Sequence, residues 1–466
     1  MKFVNRVLEK QFLDETIKLS KNKVFSLVIF GLRRVGKTRL ILETIEDKDV
    51  YFFVNKNKES SSLLKEYETV LKERKTLSEI ESLDSWDRFF SIIFSKFSGI
   101  IIFDEFQNFA NVDKSVFEIL QKQIDINENK KGILFIFSGS TTGLMKKLFS
   151  DSKEPLYGRI KRKLNLKPLL FKDCIEMCSE LDIKNIEEVI KLYAIFGGYP
   201  KYYVSIEDEN LLGKSIEDIL ERFFFQENAL LEEEVNQILS LEFGKRSGVY
   251  YNILSAIANG NTRISEIASF MNKKETELSR QINELVNYFE LIDVERPVVM
   301  GRNVFYIKHP IINFWFRFFY KDISNYHRRS PLLIKKIKNE INAFVGRRFE
   351  NVCKEYVHEN PPFEIHQTGR QWGKIRGAEK GKNTYEIDIV ALNEQTKDIL
   401  FVECKWQSKV NAEKILAELK EKAKHVEWNN EKRKEHYAVF AKSFSKRIKE
   451  CKCYDLKDME KVLRKR

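Results

Sequence analysis

The sequence predicts an α/β multidomain chain, and three observations predict it. From Val24 to about Leu170, short apolar runs (VFSLVIF, VYFFV, GIIIFDEF, GILFIFSG) alternate with helical periodicity, as in a parallel sheet covered on both faces. The first run leads at once into Gly31-x-x-x-x-Gly36-Lys37-Thr38 and a new helical pattern. Near the other end, YEIDIVALNEQTKDILFVECKW sets two strand-like runs about a polar turn, with amphipathic helices before and after.

A chain of 466 residues has room for two to four cores. Changes of periodicity place the expected boundaries at residues 1–170, 171–245, 246–330 and 331–466. No stretch approaches the roughly 18 apolar residues of a membrane span, so a soluble, cytoplasmic chain with no membrane partner is expected. Of the six cysteines, Cys174 and Cys178 share a helix face and Cys451 and Cys453 form a lone C-x-C, a pattern of reduced thiols. The net charge of +12 is uneven. Residues 331–466 hold 31 Lys and Arg against 21 Asp and Glu, leaving 50 against 48 before them. A basic final third points to a polyanion such as DNA, or to a solvated lysine-rich surface.

Residues 171 to about 240 read as helices, among them the acidic LLEEEVNQILSLEF. Then come VYYNILSAIANG, RISEIASFM and KETELSRQINELVNYF, with Leu278, Ile282, Leu285 and Tyr288 at helical spacing, and a hairpin of LIDVERP and VFYIKHP. Three helices and a two-stranded wing resemble winged-helix modules. The third helix offers Lys273, Lys274 and Arg280 to DNA, but also Glu275, Glu277 and Glu284, so a protein-packing role stays open.

A glycine-rich loop between strand and helix is the frame of a P-loop. Gly31 and Gly36 free the backbone to wrap phosphate, Arg34, Val35 and Arg39 flank it, Lys37 neutralises β/γ charge, and Thr38 ligates Mg²⁺. Asp104, at the end of a neighbouring run, would hold the same Mg²⁺, and Glu105 would polarise water against the γ-phosphate of ATP. Ser138 is either a γ-phosphate contact or a sheet-end cap. Arg159, just before another apolar run, is either an arginine finger for a neighbouring subunit of a homo-oligomer or one more surface cation.

With GLRRVGKT, IIIFDEFQNF, FSGSTTG, PLYGR and FGGYPKYY in place, residues 1 to about 240 resemble the archaeal DEXX-box ATPases, a branch of the AAA+/STAND P-loop NTPases. The resemblance implies an AAA+-like core with a helical lid, in which Gly198 and Pro200 approach the nucleotide, and a winged helix after the lid. No sensor arginine is evident in the lid.

The hairpin can be counted. If Asn393 and Asp398 close it, Asp388 faces Glu403 and Glu386 faces Lys405, while Ile387, Ile389, Ala391, Leu400, Val402 and Cys404 make an apolar face. Opposed carboxylates repel unless a cation lies between them. Asp388, Glu403 and the Cys404 carbonyl would suit Mg²⁺ or Mn²⁺, with Lys405 beside them. The alternative is a surface ladder in which Lys405 neutralises Glu386. With Glu350 on the preceding helix, the order Glu, Asp, Glu-x-Lys resembles the PD-(D/E)XK nucleases and their restriction-endonuclease-like α/β fold. That resemblance assigns catalysis to Glu350, Asp388, Glu403 and Lys405. Gln367, Arg370, Gln371 and Lys374 are candidate DNA contacts.

Together these features lead to the expectation of a Mg²⁺-dependent ATPase coupled to DNA binding and metal-dependent cleavage. The alternative is a STAND-like oligomerisation switch whose last domain binds DNA or protein without cutting.

Overall fold

The computed structural model describes residues 1–464 apart from 245–247, 376, 378 and 380–382. In the first region, strands β1 (Phe25–Phe30), β2 (Val50–Phe53), β3 (Gly99–Asp104), β4 (Ile133–Gly139) and β5 (Arg162–Asn165) form one sheet in the order β2-β3-β4-β1-β5. Every pairing in it is parallel. Helices α1 (Val7–Ser20), α2 (Lys37–Leu42), α3 (Ser60–Glu73), α4 (Trp86–Lys96), α5 (Phe109–Val112), α6 (Ser115–Ile126) and α7 (Thr142–Ser150) surround it. Strands buried on both sides need no alternation, which is why FSLVIF and ILFIFSG are almost wholly apolar. The fifth strand, expected as an apolar run after Arg159, falls on RKLN, half-exposed at the sheet edge.

Next come α8 (Phe171–Glu180), α9 (Ile186–Phe196), α10 (Pro200–Asp208), α11 (Ile216–Leu220), continued by a π-turn, and α12 (Glu234–Phe243). They are followed by α13 (Gly248–Ala258), α14 (Ile264–Phe270) and α15 (Glu275–Asn283), whose Leu278, Ile282 and Leu285 are buried as their spacing requires, Leu285 lying in the π-turn that extends α15. Strands β6 (Ile292–Glu295) and β7 (Val304–Ile307) pair antiparallel. Helix α16 (Pro310–Phe318), a segment left unassigned by periodicity, lies between α9 and α13 and buries every residue but Asn313 and Arg317, which share one face; the short α17 (Ile323–His327) follows.

The long α18 (Pro331–Glu359) opens the last region. After it come β8 (Gln367–Lys374), β9 (Thr384–Leu392), β10 (Asp398–Lys405), β11 (Val410–Asn411), α19 (Ala412–Ala423), β12 (Lys434–Ala441), β13 (Phe444–Lys446), β14 (Lys452–Tyr454) and α20 (Leu456–Leu463). The larger sheet runs β14-β12-β10-β9-β8. The turn closes as counted: Asn393 N donates to Asp398 O at 2.9 Å, and Ile389↔Val402, Ala391↔Leu400 hold the register.

The alternation on β9 then breaks. Gly369 pairs with Val390 but Gln371 pairs with Ile387, so β9 spends three residues where β8 spends two. Ile387 therefore packs with Val390 and Phe401, away from Ile389, Ala391 and Val402. The wholly apolar face expected of this hairpin is split by the bulge, and the charges are divided with it.

β8 is a sheet edge, and it is covered. The loop between β6 and β7 lies along it: Val298 N donates to Arg370 O at 3.1 Å, Val299 N to Gln371 Oε1 at 2.9 Å, Gln367 Nε2 to Val298 O at 3.1 Å and Trp372 Nε1 to Arg302 O at 2.9 Å. The side chains of Gln367 and Gln371, expected to reach DNA, are thus taken up in holding this loop.

Helix α18 also packs on α9. Its Glu355 accepts from Phe171 N (2.7 Å) at the start of α8 and from the Tyr193 hydroxyl (2.9 Å). A carboxyl at a helix N-terminus is favoured there, but burial dominates and pushes Glu355 up to about 7. The folded chain then holds a proton that the unfolded chain releases near 4.5, so this group's stabilisation is lost as pH rises from about 4.5 to about 7. Glu355→Gln is expected to flatten that part of the profile by on the order of 2 kcal/mol, read from urea unfolding at a series of pH values.

Candidate functional site

The loop after β1 is shaped by two close approaches. A Cβ on Gly31 would sit 2.3 Å from Leu166 O, and Gly36 has φ +93°, so neither position accepts a side chain without strain. Arg34, at φ 70°, takes the left-handed conformation despite its side chain. Lys37 is buried, and its Nζ donates to Gly31 O (2.9 Å) and Leu32 O (3.1 Å) of its own loop. Burial lowers Lys37 to about 8, opposed by the charges of Glu105 and Asp104.

Thr38 and Asp104 meet as the sequence reading required: Thr38 Oγ1 donates to Asp104 Oδ2 at 3.0 Å. The same oxygen accepts from the Tyr51 hydroxyl at 2.6 Å, and Glu105 N donates to Asp104 Oδ1 at 3.0 Å. The Tyr51 phenol stays neutral, raised far above its usual range by burial and then by this bond. A hydroxyl and a carboxylate in contact beside a phosphate-wrapping loop are oxygen donors suited to Mg²⁺. Glu105, at φ 54°, accepts from Ser140 Oγ at 2.9 Å and from Gln107 Nε2. Ser138 is fully buried beside Ile29 of β1, and its hydroxyl has no hydrogen-bond partner among the described residues.

The helices that follow β5 pack over this loop. A Cβ on Gly36 would be 3.9 Å from Pro200 Cγ, and one on Gly198 only 1.8 Å from Leu169 O, so the GGYP segment lies against the core. Arg34 makes two bonds to Glu234 of α12 (2.9 and 3.1 Å), which also accepts from the Tyr202 hydroxyl. Arg33 faces Glu242, further along α12, at 3.5 Å. Burial raises Glu242 to about 7, with Arg33 and Lys37 pulling it back. Val35 is buried and its carbonyl accepts from Arg6 at 3.0 Å, whereas Arg39 turns out to solvent and pairs with Glu43. Arg159 lies at the opposite end of the sheet, where β5 begins, paired with Asp125 at 3.0 Å. It does not reach the loop of its own chain.

At the C-terminal hairpin, Glu350, Asp388, Glu403 and Lys405 do converge, with different partners from those expected. The β9–β10 ladder stops at Ile389↔Val402, and Asp388 Oδ2 instead accepts from Cys404 N at 2.7 Å. Glu386 pairs with Arg370, and Lys405 with Glu403 at 2.7 Å, so the expected Glu386–Lys405 pair does not form. The bulge is the cause, since it takes Glu386 and Lys405 out of opposition. Arg370, an expected DNA contact, gathers Glu295, Glu350 and Glu386. Both oxygens of Glu403 accept from Lys422 of α19 at 2.9 Å. Burial, then Glu403, raises Asp388 to about 6; burial, then Asp388, holds Glu350 well above the carboxylate range. Among the described residues no three His, Cys, Asp or Glu side chains are set to hold a metal.

Sequence reasoning missed Tyr51, Arg33, Glu234, Glu242, Gln107, Ser140 and Lys422. Three carried a signal: Glu234 and Glu242 lie eight residues apart on one helix face, and Ser140 stands within FSGSTTG. Tyr51, a lone tyrosine in an apolar run, carried none.

A parallel sheet with this loop, threonine and aspartate defines a P-loop nucleotide-binding domain. Comparison with known proteins agrees: residues 3–206 match the family described as an ATPase domain predominantly from Archaea, and residues 315–415 match one described as archaeal and bacterial proteins of unknown function. The first part of the chain is therefore an archaeal-type ATPase domain. Over 469 residues the chain is 29% identical to an uncharacterized protein of Methanocaldococcus jannaschii, covering 98% of this chain and 99% of that protein. It is 44% identical over 48 residues to an uncharacterized ATP-binding protein of the same organism, covering 10% of this chain and 78% of that protein. The Walker-type ATPase of Pyrococcus abyssi shares the fold with a TM-score of 0.52 at 20% identity, over 68% of this chain and 96% of that one.

Tyr51→Phe removes one donor from Asp104 without changing the packing. The Mg²⁺ concentration giving half-maximal ATP hydrolysis is expected to rise about tenfold, while Mg²⁺-free nucleotide binding stays as in the parent.

Proposed function

We propose that the chain is a Mg²⁺-dependent ATPase whose nucleotide state controls the binding of DNA by its C-terminal half. The observation that carries this reading is the contact of Thr38 with Asp104 beside the buried Lys37. Lys37 would leave its loop carbonyls for the β- and γ-phosphates. Thr38 and Asp104 would hold Mg²⁺, which supplies charge neutralisation on the phosphates. Glu105, held by Ser140 and Gln107, would orient the attacking water.

DNA is the partner favoured by the basic balance of residues 331–466 and by reading residues 248–307 as a winged helix. The packing of α18 on α9 gives a route from lid to C-terminal region. Assembly of several copies would bring Arg159 of one chain toward the nucleotide of the next.

A second reading, metal-dependent DNA cleavage, is favoured by the convergence of Glu350, Asp388, Glu403 and Lys405. The residues as they stand do not fit a metal, because Lys405 and Lys422 hold the oxygens of Glu403. The first reading accommodates them as a largely buried, ion-paired cluster in which Arg370, Lys405 and Lys422 answer the acids.

Anisotropy of a labelled duplex separates these readings. DNA affinity is expected to differ about tenfold between the chain loaded with an ATP analogue and with ADP, and the difference to vanish in Lys37→Ala. Equal affinity in both states would remove the proposed coupling. Plasmid and linear DNA are expected to stay intact with Mg²⁺ or Mn²⁺; cutting that Glu403→Ala/Lys405→Ala abolishes would put the second reading first.

A further inference from the structure

We infer that Arg33 is a ligand for the terminal phosphate of a nucleoside triphosphate, and that Glu242 of α12 occupies that phosphate's place on Arg33 when none is bound. The pair then selects between tri- and diphosphate. The inference rests on reading residues 31–38 as a nucleotide site.

The two neighbouring arginines of the loop are held very differently. Arg34 is fully engaged, with two hydrogen bonds to Glu234 and the Tyr202 hydroxyl on the same carboxylate. Arg33 Nε is buried and reaches Glu242 Oε1 only at 3.5 Å, a long ion pair, with no other hydrogen-bond partner among the described residues. A buried guanidinium nitrogen whose acceptor stands this far off is incompletely satisfied, and a phosphate oxygen at closer range would satisfy it better.

Glu242 also lies at the right end of the site. It acts on both Lys37 and Glu105, the groups expected at the β/γ-phosphates and the attacking water. Glu234 lies eight residues earlier, about 12 Å along the same helix face, at the Arg34 end. A γ-phosphate would therefore bring negative charge to ground that Glu242 already holds, in a poorly solvated site where like charges repel strongly. A diphosphate stops short of it. Among the described residues, Tyr288, Tyr250 and Glu284 line the same cavity as Glu242. When the phosphate takes Arg33, Glu242 must leave, while Arg34 and Glu234 still tie the start of α12 to the loop.

Calorimetric titration of the full chain with ADP and with an imido-linked ATP analogue, both with Mg²⁺, tests this. Glu242→Gln is expected to tighten the triphosphate about tenfold and leave ADP within about twofold. Arg33→Ala is expected to weaken the triphosphate selectively, and in Arg33→Ala/Glu242→Gln the gain from Gln is expected to disappear. Equal shifts for both nucleotides, or a gain that survives without Arg33, overturn the inference while leaving the nucleotide site intact. Failure of the parent chain to bind either nucleotide would overturn both.

Discussion

Three cations, Arg33, Arg34 and Lys37, are crowded into one short loop, and the rest of the nucleotide-binding half is organised around balancing them. A loop built to wrap phosphate carries concentrated positive charge. Without phosphate it has to find oxygen elsewhere. Lys37 finds it in the loop's own carbonyls, Arg34 in Glu234, and Arg33 less completely in Glu242. Both glutamates belong to α12, the last helix before α13, so charge balance in the loop also fixes where the lid ends and the next helices begin. The closed lid follows from the same requirement, with Pro200 against Gly36 and the Gly198 backbone against Leu169.

The C-terminal region solves a related problem with different means. Glu350 of α18, Asp388 of β9 and Glu403 of β10 bring acid beside an apolar core, and each is answered by a cation or an N–H: Arg370 for Glu350, Cys404 N for Asp388, Lys405 and Lys422 for Glu403. The bulge in β9 makes this possible by distributing the acids over two environments. The β6–β7 hairpin then completes the arrangement, because its loop covers the β8 edge and the end of β6 sets Glu295 against Arg370. Raised carboxyls at Glu350 and Asp388 mark the incomplete part of that balance.

Much of this was legible in the sequence, for definite physical reasons. Strands buried on both faces announce themselves as continuous apolar runs, and the glycines of the loop as the residues a left-handed turn requires. The hairpin register could be counted because Asn393 and Asp398 fix the turn. What stayed hidden depended on where chains cross rather than on local pattern. The β9 bulge arises in pairing with β8, so period-two counting placed Glu386 opposite Lys405 when its partner is Arg370. Gln367 and Gln371 looked like free polar groups because nothing local shows a loop some 70 residues earlier lying along them. Helix α16 was missed although Asn313 and Arg317 mark one polar face at helical spacing, because a segment this short and otherwise apolar reads as readily as a strand.

The central claim is that nucleotide phosphate and Glu242 of α12 compete for Arg33. Amide hydrogen exchange along α12, Glu234–Phe243, with and without a Mg²⁺-bound triphosphate analogue, tests it most directly. The account predicts slower exchange in residues 31–38 together with faster exchange toward the Phe243 end of α12. Protection of the loop with unchanged or slower exchange throughout α12 would contradict it.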